Sequence, residues 1–369
     1  MKSANSLTQL ALRKFKKNLW GVLSYWFIVL CVFIAIFAYV LAPDNSANAN
    51  QMHLSIHSMP PGFSVKMLEI PNTSAERESK LKQIFYGKTY TAEQIPISSY
   101  NFEQENLRVK LYTREGLEEV EKVFNLKENF PENLNSTEIE ENYIYQKKFL
   151  LGTDKYGRDF LSRMLIGIRI SLSIGFVAVL ISLIIGITLG AIAGFYGGKI
   201  DDFIMWLINV TWSIPTLLLV IAMTLALGKG FWQVFIAVGL TMWVEVARVV
   251  RGQVISAKEM QYVTAARALG YRNFRIIRQH ILPNIMAPVI VISAANFAAA
   301  ILVESGLSFL GIGAQPPIPS WGAMIKEHYS YIILGKAHLA IIPGLGIMSL
   351  VLAFMLIGNA LRDALDVKT

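Results

Sequence analysis

The sequence predicts an all-α protein that crosses a membrane six times and carries a small α+β domain outside the membrane. Three observations lead to this fold class. Of the 369 residues, 54% are hydrophobic and only 16% are charged, whereas soluble domains carry about 25% charged residues. Six apolar runs are each long enough for a bilayer core, which takes about 20 residues of helix. A polar segment of roughly a hundred residues separates the first two runs.

The first apolar run follows a basic segment. Residues 1–18 contain four basic side chains close to the run Leu19–Leu41. A secretory signal peptide also begins this way, but its apolar part is shorter. We therefore expect residues 1–18 to be cytoplasmic and 19–41 to be an uncleaved transmembrane helix. The run holds Cys31, the single cysteine of the sequence, and one thiol excludes both an internal disulfide and a cysteine-based metal site.

The polar segment 42–149 has the composition of a soluble domain, and we expect it to be an extracytoplasmic insertion. The stretch FSVKMLEI, from Phe63, alternates apolar and polar residues as a half-buried strand does. The stretch TREGLEEVEKVFNL spaces Leu117, Val120 and Phe124 as one face of a helix. The sequence thus predicts a small α+β domain.

Two histidines lie near the start of this domain. His53 and His57 are four residues apart, so a helix or a strand would bring them to one face. No cysteine or cluster of carboxylates accompanies them, as a metal site would require. We interpret them as two solvated histidines and predict no metal site.

Residues 150–369 hold five further apolar runs and are interpreted as one transmembrane domain. Pro215, Pro288 and Pro343 fall inside runs, where membrane helices tolerate kinks. Only the residues GKG, Gly228–Gly230, separate two of the runs, which predicts a tight helical hairpin. The predicted spans are Ile170–Phe195, Phe203–Leu227, Phe231–Val250, Ile285–Phe309 and Ala337–Leu361.

The basic residues predict the orientation of the chain. With the N-terminus in the cytoplasm, fourteen Lys and Arg residues fall on the inner segments and three on the short outer loops. Cytoplasmic loops carry the excess of positive charge, so both termini are predicted to be inside. Lys155, Arg158, Arg163 and Arg169 oppose this assignment, because they crowd the outer end of the second span. Long translocated segments largely escape the charge rule, and the orientation stands.

One inner loop is unusually amphipathic. Within residues 251–284, the stretch EMQYVTAARALGYRNFRIIRQHILPN begins at Glu259, and its first apolar residues recur at helical spacing. Gly270 is a natural helix stop. A second short helix is expected from Asn273, with Pro283 closing it before the next span. Physical arguments alone leave two roles for such a loop: docking into the groove of a partner protein, or lying on anionic headgroups.

Small and ionisable residues inside the spans are further candidates. Gly186, Gly190 and Gly194 form two small-xxx-small steps, which allow close helix packing. The packing partner is left open between this chain and a second membrane subunit. Glu245 and Glu304 lie within predicted spans, where carboxylates are functional candidates. We expect Glu245 to pair with Arg248 one turn away, and Glu304 to anchor the outer loop that follows it.

The sequence gives no sign of an enzyme or of nucleic-acid binding. It contains no G-x-x-x-x-G-K-[ST] phosphate-binding loop. His280, His328 and His338 are scattered, and each is expected to be structural or interfacial. The net charge of the chain is +8, and most Lys and Arg outside the insertion lie next to apolar spans. This placement suits the orientation of membrane spans better than binding to a nucleic-acid backbone.

Several ordered motifs carry a resemblance. YVTAARALGYRNFRIIRQHILPN resembles the cytoplasmic loop of ABC-importer permeases, with Ala265, Ala266, Gly270, Leu282 and Pro283 in register and Thr264 where the family usually has Glu. LLGTDKYGRDFLSRMLIGIRISLSIG, GFYGGKIDDFIM, ESGLSFLGIGAQPPIPSWGAMI and GNALRDALD are similar to the dipeptide/oligopeptide/nickel permease family (DppC/OppC-like). The resemblance covers about residues 150–369 and the first span; the long insertion departs from it.

The resemblance implies a type I importer permease (MetI-like) fold and a set of partners. These are a second permease, two cytoplasmic ATPase subunits that hold ATP and Mg²⁺, and an extracytoplasmic solute-binding protein, in a bacterial inner membrane. The chain itself would bind no cofactor. The loop around 259–283 would be a coupling helix that contacts the ATPase, through Tyr262, Thr264, Ala265, Ala266, Arg267, Leu269, Gly270 and Pro283.

Two other classes of protein are alternatives to an ATP-driven importer of peptides or a related solute. A membrane receptor would use the outer domain for a ligand and the inner loop for a signalling partner. A proton-coupled transporter usually shows inverted repeats and paired broken helices, which the sequence does not display.

Overall fold

The computed structural model describes residues 7–71, 79–89, 92–114, 118–131, 134–228 and 230–366. The chain begins with an amphipathic helix, α1 (Leu7–Lys17), followed by α2 (Leu19–Ile36) and the short α3 (Ala38–Leu41). Asn18 separates α1 from α2, and its side chain accepts a hydrogen bond from Gly21 N at 2.9 Å. An Asn at this position satisfies one of the free amides at the helix start.

The inserted domain is built on a five-stranded antiparallel sheet in the order β4-β3-β2-β1-β5. Its core includes Leu68, Ile97, Leu107 and Ile139, all essentially buried. The elements in chain order are β1 (Phe63–Pro71), α4 (Lys80–Tyr86), β2 (Ala92–Glu103), β3 (Asn106–Leu111), β4 (Glu121–Asn125), α5 (Leu126–Asn129), α6 (Ser136–Tyr143) and β5 (Ile144–Phe149). The α+β character and the strand predicted from Phe63 are confirmed.

The helix predicted from Leu117, Val120 and Phe124 is wrong in its described part. Residues Glu121–Asn125 form the edge strand β4, in which Phe124 pairs with Leu107 of β3; Leu117 lies outside the described residues. Apolar residues spaced by three and four suit a helix locally, but pairing with β3 provides the backbone partners here. Tertiary context overrides such weak local preferences.

The interpretation of both histidines as solvated is wrong for His53. Its side chain is 8% exposed, beneath the loop that precedes the second span, and its backbone N–H donates to Tyr156 O at 3.0 Å. Burial, with a contribution from the charge of Lys147, lowers the pKa of His53 to about 4. His57 is partly exposed, and burial with the Arg114 charge lowers its pKa as well.

The remaining helices form the membrane domain. They are α7 (Phe160–Tyr196), α8 (Gly198–Trp212), α9 (Thr216–Leu227), α10 (Phe231–Lys258), α11 (Gln261–Ala268), α12 (Asn273–Arg275), α13 (Met286–Leu310), α14 (Trp321–His328) and α15 (His338–Leu365). Among the described residues, five segments can each cross a membrane alone: Leu19–Ile36, Phe160–Tyr196, Trp232–Lys258, Asn273–Leu310 and His338–Leu365.

The sixth predicted span, Phe203–Leu227, is not a straight helix. It is divided between α8 and α9, which are bent by 91°. The break falls at Pro215, whose ring lacks an N–H donor and forces the preceding residue, Ile214, out of the helical region. The kink expected at this proline is therefore a right-angled corner. By contrast, Pro343 is accommodated inside α15.

The second predicted span begins earlier than Ile170. Helix α7 starts at Phe160 because Asp159 caps it, with Asp159 Oδ1 accepting from Ser162 N at 2.7 Å. The outer helix α14 packs beside this end of α7, where Trp321 Nε1 donates to Met164 O at 3.1 Å. Strand β5 of the inserted domain thus leads through a ten-residue connection, 150–159, into a span that is anchored on its outer side.

Candidate functional site

The inner loop between α10 and α13 is built around Gly270. This glycine has φ +77°, in the left-handed region. Its N–H donates to Arg267 O at 2.9 Å, and the N–H of Tyr271 donates to Ala266 O at 3.1 Å. These two bonds are the Schellman termination of a helix, which favours glycine at this position. The predicted stop at Gly270 is confirmed as the end of α11.

One side of α11 packs onto the spans of this chain. Val263 is 0% exposed and Ala266 is 3% exposed. Both belong to one apolar cluster with Phe195 of α7 and Val254 of α10. Ala266 is one of the residues that the resemblance assigns to the ATPase contact, but its side chain is buried here against other parts of this chain.

The opposite side of the loop presents large apolar side chains to solvent. Leu269 is 73% exposed, Phe274 is 70% exposed and Met260 is 53% exposed. Tyr262, Thr264, Ala265 and Arg267 are also exposed. We call the surface formed by Met260, Tyr262, Ala265, Leu269 and Phe274 the outer loop face. Here 'outer' means directed away from the spans of this chain and does not refer to a side of the membrane. Exposed apolar residues clustered on a short helix and its turn are typical of a protein contact.

Two of the basic residues of the loop lie against aromatic rings. The guanidinium of Arg267 lies 5.5 Å from the ring centre of Phe195, and that of Arg275 lies 4.4 Å from the ring centre of Tyr271. Arg275 Nε also donates to Gln279 Oε1 at 2.9 Å. Such cation–π contacts fix the direction of the arginines, so the turn is supported from both sides.

The second half of the loop differs from the prediction. The helix does begin at Asn273, but Arg272 is the N-cap and no side chain caps it. It also does not close at Pro283. A π-helical segment, Ile276–Ile281, and a 3-10 turn, Leu282–Ile285, carry the chain directly into α13. The ring of a proline clashes with the carbonyl four residues earlier in an α-helix, and the chain departs from α-helical geometry both before and at Pro283.

The three glycines of α7 all face α10. A Cβ at Gly186 would lie 2.8 Å from Trp243 O, and a Cβ at Gly194 would lie 2.7 Å from Arg251 O. Gly190 lies just as close to Ala247 O. The two helices pack backbone to backbone along this line, so the structure places these steps within the chain.

The two intramembrane carboxylates have different environments. Glu304 is 0% exposed in α13, and its Oε1 accepts from Ser308 Oγ at 2.6 Å. Glu245 is exposed on α10. Within the described residues it forms no ion pair with Arg248, whose guanidinium instead lies 3.6 Å from the ring centre of Trp212. The pairing expected from the sequence is therefore replaced by a cation–π contact.

A buried ion network beside the start of α7 was not predicted from the sequence. Arg158 Nε lies 2.6 Å from Asp154 Oδ2, and Arg158 Nη2 lies 3.1 Å from Glu327 Oε2. His328 adjoins them: its Nδ1 lies 2.7 Å from Met324 O and its Nε2 accepts from Lys155 N at 3.3 Å. Asp154, Glu327 and His328 lie close enough together to hold a metal ion, but one ligand atom of each already contacts Arg158 or the backbone N–H of Lys155.

A second ion pair joins α8 to α10 at their inner ends. Arg251 Nε and Nη2 lie 2.5 and 2.6 Å from the two carboxylate oxygens of Asp201. A two-pronged pair of this kind fixes both partners. Its only signal in the sequence is the carboxylate that follows a glycine turn in GGKIDDF.

Two of the histidines that are scattered in the sequence lie near each other in the structure. The rings of His328 and His338 both contact the ring of Phe160.

Comparison with known proteins identifies the family. Residues 186–369 match the family described as "Binding-protein-dependent transport system inner membrane component". Residues 6–61 match "N-terminal TM domain of oligopeptide transport permease C". Residues 62–185, which include most of the inserted domain, lie between the two matches.

Several curated relatives align with this chain over most of their length. The glutathione transport system permease protein GsiD of Pectobacterium atrosepticum is 43% identical over 59% of this chain and 72% of that protein. The dipeptide transport system permease protein DppC of Bacillus subtilis is 42% identical over 59% and 68%. The oligopeptide transport system permease protein OppC of Bacillus subtilis is 38% identical over 60% and 72%.

Among solved structures, a chain of the inward-facing MetNI methionine ABC transporter matches with a TM-score of 0.44 and 19% identity, over 56% of this chain and 96% of that chain. The curated relatives are all transport permeases and give the receptor alternative no support. The chain therefore belongs to the binding-protein-dependent transport family, as an inner-membrane permease subunit of an ABC importer.

Proposed function

We propose that this permease imports peptides or a related small solute as half of a heterodimer with a second permease. Two ATPase subunits, which hold ATP and Mg²⁺, and an extracytoplasmic solute-binding protein complete the transporter. The names of the DppC, OppC and GsiD relatives support this class of solute. In this proposal the chain forms part of the path of the solute across the membrane, and the ATPase subunits hydrolyse ATP.

In this proposal the loop 251–284 is the coupling element. The observation that carries it is the outer loop face, where Leu269 and Phe274 are more than two-thirds exposed. The inner side of α11, at Val263 and Ala266, is buried against α7 and α10. A force applied to the outer loop face is therefore transmitted to two spans through packed side chains.

The proposed orientation places both termini in the cytoplasm and residues 42–149 outside the membrane. Lys14 Nζ donates to Asp366 O at 3.1 Å, so the two ends of the described chain lie on the same side. The basic residues of α1 and of loop 251–284 favour the cytoplasmic side for both. This places the outer loop face where ATPase subunits are found.

Co-purification tests the coupling role. The tagged chain is extracted in mild detergent as wild type, Leu269→Glu and Gly270→Pro. Leu269→Glu places a charge on the outer loop face. Gly270→Pro imposes a φ near −65° where the structure has +77°. We expect both variants to lose at least about 90% of the bound ATPase, equivalent to about 1.4 kcal/mol of binding free energy per tenfold loss.

Leu54→Glu is the matched control, because Leu54 is 68% exposed on the inserted domain. It should retain the ATPase at the wild-type level. Retention of the ATPase by both loop variants would contradict docking at this face. Ala266→Glu is unsuitable as a probe, since Ala266 is buried within the chain and a charge there would disrupt the loop itself.

A further inference from the structure

Glu245 occupies an unusual position for a carboxylate. It lies near the middle of α10, which runs from Phe231 to Lys258. Its neighbours Val244, Val246 and Ala247 are buried, whereas Glu245 is exposed. A charged carboxylate that faces hydrocarbon at the centre of a span is unfavourable, so such residues almost always face the bundle interior or a water-filled cavity. This side of α10 therefore faces water or polar groups in the assembled transporter.

Arg248 adds the opposite charge one turn further along. Its guanidinium lies over the ring of Trp212 at 3.6 Å, a contact that leaves the N–H groups at the edge of the guanidinium free to donate. Within the described residues Arg248 has no carboxylate within ion-pair distance. Arg251, three residues on, has both oxygens of Asp201. The ion-pairing capacity of Arg248 is thus unused by the residues that the structure describes.

The ring that Arg248 contacts lies at the end of α8. Trp212 is the last residue of α8, directly before the 91° corner. A separate open groove of about 510 Å³ lies along α8, lined by Asp202, Trp206, Asn209 and Ser213 among others, and its lining does not include Glu245, Arg248 or Trp212. Interrupted helices inside a membrane are tolerated where they line a cavity, and transporters place solute sites at them.

We propose that Glu245 and Arg248 form a charged subsite on the wall of the solute path and bind the two ends of a zwitterionic solute. Glu245 receives the ammonium group and Arg248 the carboxylate, while Trp212 holds the guanidinium in place. Side chains three apart on a helix have Cβ atoms roughly 5–6 Å apart, so one short solute can reach both. The proposal rests on the proposed import function and narrows its solute to molecules with both termini free.

Thiol labelling tests whether Glu245 faces the path. Cys31 is the single cysteine, so Cys31→Ala gives a background without thiols. In this background Glu245→Cys is introduced, and the transporter is purified with its partner subunits. We expect a membrane-impermeant thiol reagent to modify this variant, and a saturating free dipeptide to slow the modification at least about fivefold. Phe176→Cys, at a side chain 63% exposed on α7, is the control and should not react.

Uptake into proteoliposomes tests the two charges. Glu245→Gln and Arg248→Gln should each reduce ATP-driven uptake of a free dipeptide at least tenfold, with unchanged subunit composition. Glu128→Gln, at an exposed position of the inserted domain, should transport normally. Uptake that is unaffected by either substitution would overturn the subsite.

Two other outcomes would also refute the subsite. A thiol at position 245 that reacts only in the isolated chain would mean that Glu245 contacts the second permease. Modification that no solute slows would mean that the path is open there but does not bind. If the wild-type transporter imports no dipeptide, the proposed peptide solute fails, and a free amino acid serves as the zwitterionic probe in the same protection assay.

Discussion

Arg158 shows how a single residue can be decisive without touching a solute. It is 2% exposed and binds Asp154 and Glu327, together with Asn50 Oδ1 at 3.1 Å. These contacts join the start of the inserted domain, the connection to α7 and the end of α14. The sequence showed only a basic cluster that opposed the predicted orientation. The structure accounts for part of that cluster, because Arg158 and Arg163 form ion pairs inside the fold.

Replacing Arg158 is predicted to destabilise the chain strongly. Arg158→Met removes the shared partner of Asp154 and Glu327. Asp154, which is fully buried, then keeps only the longer ion pair with Arg163, at 3.7 Å. Breaking a buried pair from one side costs about 3–5 kcal/mol. Thermal unfolding of the purified chain, followed by tryptophan fluorescence, measures the loss. Arg108→Met is the control, since Arg108 forms an exposed pair with Glu103 at 3.1 Å, and its Tm should match that of the wild type.

His53 predicts how the stability of the outer region depends on pH. Its pKa is lowered to about 4 in the folded chain, compared with about 6.5 when unfolded. Above pH 6.5 the histidine is neutral in both states. Between pH 6.5 and 4 the unfolded state takes up a proton that the folded state does not, so the free energy of unfolding falls by up to about 1.4 kcal/mol per pH unit.

The variant His53→Asn isolates this contribution from the titration of carboxylates. The Tm of the wild type should fall more steeply than that of the variant as the pH is lowered from 7 toward 4.5. The two curves should run parallel above pH 7. Parallel curves across the whole range would show that His53 is not the titrating group.

At the scale of elements, the contact of α7 with α10 organises the membrane domain. Gly186, Gly190 and Gly194 place the backbone of α7 directly against α10. The pattern of small residues is visible in the sequence, but the helix that packs against it is not. A small-xxx-small step allows another helix to approach closely and does not determine which helix this is. The structure assigns that closeness to a contact within the chain.

Gly190→Ala is predicted to push α7 away from α10. The added methyl group would overlap Ala247 O, a backbone atom that cannot rotate away. Overpacking of this kind costs about 1–3 kcal/mol. Gly252→Ala provides the opposite case, since a Cβ there meets nothing within 4 Å, and alanine gains up to about 1 kcal/mol of helix propensity. Thermal unfolding of the isolated chain should show a lower Tm for the first variant and not for the second.

Sequence reasoning succeeded where one local rule decides the outcome. Runs near 20 apolar residues have few alternatives to a span, and Gly270 ends α11 because a left-handed residue is needed there. It failed where a distant partner decides. Strand pairing determined the state of Phe124, and the fold of the spans determined which apolar residues of α11 are buried. Val263 and Leu269 look alike in the pattern, yet one is 0% and the other 73% exposed.

At the scale of the whole molecule, the orientation can be tested with the same single-cysteine background. Arg13→Cys lies on α1 and Lys122→Cys on the edge strand β4, both exposed. In right-side-out membrane vesicles an impermeant thiol reagent should modify the second variant directly and the first only after permeabilisation. The reverse pattern would invert the proposed topology and place the outer loop face on the wrong side for an ATPase.

Helix α7 also gives the molecule a mechanical continuity. Its 37 residues form a rod about 55 Å long. The outer end is fixed to the inserted domain, through Ser162 Oγ, which accepts from Asp44 N at 2.8 Å. The inner end carries Phe195, which lies beneath Arg267 of α11.

A rod fixed at both ends cannot move at one end alone. A tilt of about 5° displaces the far end of such a helix by roughly 5 Å. A protein that binds the inserted domain and a protein that binds α11 therefore act on opposite ends of the same helix. A displacement that either partner causes at its own end also moves the other end.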